Sequence, residues 1–285
     1  MSDWDELYAD LDRRYGDARS LCDEHRTLAD RPAPPALWRM LAGRGSVRAF
    51  RDPPPTRDEL RLIAALALAA PTKSDLQQRD VILVDDPGQM ADLKTIFADQ
   101  AWTAGAPALV VVCADNRRQR RIHAMREHPF ANDHLDAFFN ASVDAAIVLA
   151  AFVLAAEAAG FGTCPISAIR NDAERASEIL ALPDHVFPVA GLAVGRPAAP
   201  AEPSPRLPLE LTVHDNRYRE ANVADEIDAY DQRRAAIRPY GEQRRTADLG
   251  VAAFYSWSED KARQYSVSER AGFGAFVRAK GFRLD

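Results

Sequence analysis

Between His134 and Gly160 the sequence follows a helical period yet is apolar nearly all round, through Ala145, Ala146, Val148, Leu149, Phe152, Val153 and Ala156. A helix on a protein surface keeps one polar face, so this one has to be enclosed, at a domain centre or between subunits. Its longest run free of charge and glycine, Ala145 to Ala156, is 12 residues, short of the ~20 that cross a bilayer. The remaining chain, or a second subunit, must therefore cover this helix on every side. Its 285 residues, 47% hydrophobic and 27% charged, have the composition of a globular protein able to do so.

The covering elements are legible in part. Val81–Val84 and Leu109–Cys113 are short, continuous and apolar, as strands buried on both faces are. Phe187–Gly195 is a third strand candidate, and a short helical pattern runs from Met90 to Phe97. Thr56 and Glu59 form a capping box for a helix through Leu62, Ile63 and Leu66 that stops at Pro71. Asp225–Arg234 is a further helix, and Ser256 with Glu259 and Ser266 with Glu269 make two more boxes. The last helix carries Phe273, Phe276 and Val277 on one face, ends at Gly281, and needs something to cover its stripe. At the N-terminus, Trp4, Leu7, Tyr8, Leu11 and Tyr15 predict an amphipathic helix, and Arg31–Ala36 reads as a linker. From Pro197 to Pro208, five prolines hold the chain extended.

Charge and cysteine usage narrow the function. A net charge of −6 with no dense basic tract argues against nucleic acid. The acidic start (Asp3, Asp5, Glu6, Asp10) is unlike a secretory signal, and Cys22, Cys113 and Cys164 are too scattered for a disulfide framework, so a cytoplasmic protein without a membrane partner is expected. No serine elbow, lysine-ended phosphate loop or zinc helix is present, and His123, His128 and His134 are spaced as loop residues, so no metal site is expected. What remains are polar and cationic segments beside element ends: Arg44–Arg48, Ala70–Gln77, Gly160–Arg170 and Ser204–Pro208. Each is also what a loop, an ion pair or a cap looks like. Of 36 cations only four are lysines, and arginine is the side chain best shaped to grip a phosphate.

In their order these segments resemble the flavin-dependent nitroreductase family, in its NADPH-dependent flavin reductase and oxygen-insensitive nitroreductase branch. The resemblance spans residues 40 to 283. It rests on Arg44-Gly-Ser-Val-Arg48, Pro71-Thr-x-x-x-Leu-Gln77, Gln100-Ala-Trp-Thr-Ala-Gly-Ala-Pro107, Ala155–Pro165, Gly191–Pro197 and, most specifically, Pro205-Arg-Leu-Pro-Leu-Glu-Leu-Thr-Val-His-Asp-Asn-Arg-Tyr218.

The resemblance implies an α+β fold with a mixed sheet flanked by helices, in an intertwined homodimer whose C-terminal arms embrace the partner. Residues 41–220 would be the FMN-binding core and 221–285 the arm; residues 1–40, without a counterpart in the compact members, would be a helical extension that caps the pocket or, the reading preferred here, thickens the dimer. It also implies bound FMN. Arg44 and Arg206 would hold its phosphate with Gly45, Ser46, Val47 and Ser204 around them. Arg48 would sit near the pyrimidine edge as a tuning cation. Thr72, Ser74, Gln77 and Gln100 would line the ring or ribityl chain, and Pro165, Ile166, Ser167 and Ala168 would pass one ring face. Where the branch commonly has lysine and asparagine, this chain has Ser204 and Asp75. The stretch Gln232–Arg245 carries five arginines against Glu242, and the resemblance assigns Arg238, Arg244 and Arg245 to the extra phosphate of NADPH, preferred over NADH. The implied activity is two-electron transfer from NAD(P)H to nitroaromatics, quinones or free flavin by a ping-pong mechanism. Reductive dehalogenation, a biosynthetic flavin dehydrogenation and a non-catalytic flavin-binding dimer are the alternatives.

Overall fold

The computed structural model describes residues 3–16, 33, 35–220 and 222–285; Cys22 and half of the expected linker lie outside them. By mutual contacts the chain forms two compact units, residues 46–200 with 270–285 and residues 1–45 with 201–269.

The first of these is built on a sheet of five strands, β1 (Phe50–Arg51), β2 (Arg79–Val84), β3 (Ala108–Asp115), β4 (Gly162–Ile166) and β5 (Val186–Pro197). Their order is β1-β5-β3-β2, with β4 also on β5. All four pairings among the described residues are antiparallel. The register gives the reason: Val84 at the end of β2 pairs Leu109 near the start of β3, so the helical connection returns to the end it left.

β3 is buried along its whole length, as its apolar run predicts. Val110, Val112 and Ala114 enter the core on one face, and Leu109, Val111 and Cys113 that on the other. β2 has the same kind of sequence but lies at the sheet edge and is only partly buried, so its reading as a doubly buried strand fails. β4 escaped the sequence reading because it contains Pro165. Among the described residues it has a strand partner only in β5, and a strand without a full ladder on its other edge tolerates the missing N–H.

Helices cover both faces. On one lie α3 (Arg57–Leu68), α6 (Leu135–Ala158) and, near the C-terminus, α11 (Phe273–Ala279); Ala141, Ala145, Val148, Phe152 and Ala156 of α6 are fully buried there. By length and composition α6 could cross a membrane, but those side chains are packed in the core. α3 starts with both bonds of the expected box, Thr56 N–H to Glu59 Oε2 at 2.7 Å and Glu59 N–H to Thr56 Oγ1 at 3.2 Å. The stripe of α11 is covered by this chain's own core, with Phe187 stacked edge-on against Phe273 and Phe282. On the other sheet face pack α4 (Pro87–Ile96) and α7 (Ala173–Ile179), through Leu93 and Ala176. α5 (Arg117–Met125), not foreseen, follows β3. It places His123 beside the Pro129 carbonyl, and His134 caps α6.

The second unit contains α1 (Asp3–Tyr15), α2 (Ala36–Gly43), α8 (Val223–Ile237), the short α9 (Thr246–Leu249) and α10 (Trp257–Gln264). α1 is the predicted amphipathic helix, buries Leu7, and ends at Gly16, whose φ of +103° suits a residue without Cβ. Tyr230 of α8 is buried edge-on against Trp257, ring centroids 5.5 Å apart. Two expected capping boxes are absent. Ser256 precedes α10, but its hydroxyl donates to the Asp231 carbonyl, and the Asp231 carboxylate takes the Ser258 N–H instead. Ser266 bonds back to the Arg263 carbonyl and Glu269 accepts from Gln264, so no helix begins there.

Candidate functional site

The residues singled out by sequence fall into three clusters. Arg44 and Gly45 end one segment of the unit built from residues 1–45 and 201–269, and Ser204 and Arg206 lie on its proline-rich segment. These segments touch closely: a Cβ on Gly45 would lie 2.3 Å from the Glu202 carbonyl oxygen, so only glycine fits. Arg44 and Arg206 line one cavity of about 430 Å³, with Arg14 as its third cation. The rest of the lining is mostly apolar, from Leu7, Leu11 and Tyr15 of α1 and Trp38 and Leu41 of α2. α1 thus lines the cavity of the two predicted phosphate residues. Arg14 is 5% exposed. Burial first, and then the charges of Arg206 and Arg44, push its pKa down, an electropositive setting that an anion would relieve.

The second cluster brings Ser46, Val47 and Arg48 to β4 in the sheet-containing unit. Val47 N–H donates to the Thr163 carbonyl at 2.9 Å. Gly162 makes this approach possible, since a Cβ there would meet Val47 side-chain atoms at 2.7 Å. β4 runs on to Ile166 and a 3-10 turn over Ser167–Asp172, along which Pro165 and Ser167 are exposed while Ile166 and Ala168 are buried. Arg48 is exposed and lies 5.7 Å over the Trp102 ring, in the turn that follows Gln100. A cation on an aromatic face is held with little loss of charge.

Thr72, Ser74 and Gln77 form the third cluster, tied to α6 and α5. Ser74, Asp75 and Gln77 all have left-handed backbones, φ of 49°, 56° and 54°. Three such non-glycine residues in four positions are costly and persist only where the surroundings hold them. Asp144 of α6, fully buried, does so: it accepts from Thr72 Oγ1 and Gln78 N–H on one oxygen at 2.5 and 2.9 Å, and from Lys73 N–H at 2.9 Å on the other. Arg118 donates to the Gln77 carbonyl at 2.7 Å and to Asp80 at 2.5 Å, and Gln119 to the Leu76 carbonyl. Burial and the adjacent Asp115 raise Asp80 to about 6 against the pull of Arg118. Asp75 accepts from the Gln77 side chain at 3.1 Å, which turns its carboxylate to a local use.

Sequence reasoning missed Arg14, Asp144 and Trp102. Asp144 had a visible signal, an acid in the middle of a helix whose other acids, Asp136 and Glu157, sit at its two ends. Of the arm residues, Arg238 donates to the Ser204 hydroxyl at 3.1 Å, while Arg244 pairs with Asp260 at 2.9 Å and Arg245 with Asp248 at 2.8 Å.

Comparison with known proteins places the arrangement. The nitroreductase family profile matches residues 41–196, and that family's C-terminal domain profile matches residues 204–285. An FMN reductase [NAD(P)H] of Bacillus subtilis is 31% identical over 221 residues, 75% of this chain and 89% of its own length. The NADPH-flavin oxidoreductase of Vibrio harveyi is 29% identical over 236 residues, 83% of this chain and 93% of its own. Among solved structures, NfrA2 of B. megaterium superposes with a TM-score of 0.78 at 29% identity, covering 87% of this chain and 98% of that one.

Proposed function

The chain belongs to the nitroreductase family, and we propose that it binds FMN, works as a homodimer in the cytoplasm, and passes two electrons from NADPH to a nitroaromatic, a quinone or free flavin. It is an NAD(P)H-dependent flavin oxidoreductase of that family. The observation that carries the FMN assignment is the cavity that Arg44 and Arg206 share. Its cationic lining fits a phosphate monoester, because guanidinium groups bind phosphate by parallel hydrogen bonds. When bound, FMN supplies two-electron chemistry between nicotinamide and acceptor.

The chain's own groups bind and orient. Arg44 and Arg206 take the phosphate, with Gly45, Ser46, Val47 and Ser204 shaping the approach. Arg48, steadied by Trp102, sets a positive charge toward the pyrimidine edge. A unit charge pair at 4 Å with an effective dielectric constant near 20 interacts by roughly 4 kcal/mol before desolvation, enough to favour the reduced, more negative state. Thr72, Ser74, Gln77 and Gln100 contact the ring or ribityl chain, and Pro165 to Ala168 lie along one ring face. Protons come from solvent. Arg238, Arg244 and Arg245 recognise the additional phosphate of NADPH, for which Arg244 and Arg245 exchange the carboxylates they now hold. The homodimer is supported by apolar side chains left open on α3 and α6, Leu62 at 64%, Leu66 at 57% and Phe139 at 60% exposure.

Arg206→Ala tests the assignment. Loss of one guanidinium from a phosphate should weaken FMN binding roughly 10- to 100-fold, so the purified variant loses its yellow colour on dialysis. Colour retained as in the parent protein contradicts the assigned phosphate site.

A further inference from the structure

The N-terminal helix does more than border the pocket. We propose that Arg14 is a positioning residue of the anion site, fixing the segments of Arg44 and Arg206 at the spacing a phosphate monoester requires; this rests on the FMN reading above.

Arg14 meets both segments through both of its ends. Its side chain donates from Nε to the Ala42 carbonyl at 2.5 Å, from Nη2 to the carbonyl of Arg44 itself, and from Nη1 to the Ser204 carbonyl at 3.5 Å. Its own carbonyl accepts the Arg206 N–H at 2.7 Å and Arg233 Nη1 at 2.9 Å. Arg233 closes the ring by donating its other Nη to the Arg206 carbonyl at 2.7 Å. One buried residue thus holds the main chain of both predicted phosphate ligands. Helix chemistry favours these bonds: carbonyls in the last turn of α1 are open to donors from outside the helix, and basic donors favour that end.

A tether that served only to dock α1 could be apolar, and pocket lining from α1 is otherwise apolar. A guanidinium buried beside two others is electrostatically unfavourable, as its lowered pKa records. A bound dianion converts that repulsion into attraction, while Arg14's donors stay on the carbonyls that set the geometry. The charge of Arg14 then acts at short range in a poorly solvated setting, and its three-way fork cannot be reproduced by lysine.

The test measures binding alone, by quenching of flavin fluorescence, with FMN and with riboflavin, which lacks the phosphate. In the full-length protein, Arg14→Gln should raise the dissociation constant for FMN roughly tenfold or more, because the two phosphate ligands lose the spacing it sets and the site loses one nearby charge, and change that for riboflavin less than twofold. Arg14→Lys should recover only part of the loss. Equal weakening toward both flavins, or no change toward either, overturns the role of Arg14 while leaving the flavin reading intact. Full recovery by Arg14→Lys overturns the positioning role in favour of charge alone. A parent protein that binds neither flavin removes the FMN reading and this inference together. Should Arg14→Gln fail to fold, the same comparison of two flavins with Arg14→Lys decides.

Discussion

Asp144 shows how one buried side chain sets a loop. It collects three donors from a segment in which three of four residues have left-handed backbones. Replacing it by alanine strands those donors in the interior, so Asp144→Ala should lower stability by about 3 kcal/mol and weaken flavin binding. Urea denaturation of the apoprotein and a flavin titration measure the two; an unchanged unfolding midpoint contradicts the clamp. Asp80 makes a prediction about pH. Its carboxyl titrates at about 6 in the fold against an ordinary value of 3.8, chiefly through burial and then Asp115. Between those values the folded chain holds more proton than the unfolded one, so this group's contribution to stability falls as pH rises from about 4 to 6. Asp80→Asn should flatten that part of the stability profile, read from urea midpoints at several pH values, and an unaltered slope would exclude Asp80 as its source.

Elements were legible where the deciding interaction is local. The box of Thr56 and Glu59, the apolar run of β3 and the stop at Gly281 all depend on residues a few positions apart, and all are found. The boxes at Ser256 and Ser266 had the same local pattern, but Asp231, from another helix, competes for the Ser258 N–H, and Ser266 finds a carbonyl behind it. β2 and β4 were misjudged or missed because position in a sheet, edge or centre, is decided by partners far along the chain. Gly281 carries a prediction of its own. Its φ is +88°, and a Cβ there would lie 2.6 Å from His185 Nε2. Gly281→Ala should cost about 1–3 kcal/mol, seen as a lower midpoint in thermal unfolding followed by circular dichroism; a midpoint equal to the parent's would show that the end of α11 adapts. For the arm, Arg244→Ala with Arg245→Ala should raise KM for NADPH roughly tenfold through the lost phosphate contacts and leave KM for NADH little changed. An equal rise for both nucleotides would remove these arginines from phosphate recognition.

The whole molecule combines what the sequence shows with what it hides. The enclosed helix was evident from its composition, and the ordered motifs pointed to the family. Arg14, Arg44 and Arg206 share a pocket although Arg14 bonds residues 30 and 190 positions away, a convergence no local pattern encodes. The arginine excess acquires a definite place there, in an acidic chain whose net charge of −6 says little about one local cluster. Under the proposed homodimer the exposed apolar side chains of α3 and α6 form the interface, so Phe139→Asp should yield a monomer by light scattering with reduced flavin absorbance; an intact dimer would move the interface elsewhere. The visible spectrum of the purified protein, recorded without oxygen as NADPH and then a quinone are added, bears on everything above. A yellow protein that bleaches with NADPH and recovers its colour with the quinone is the predicted result; a colourless chain that FMN cannot reconstitute would contradict it.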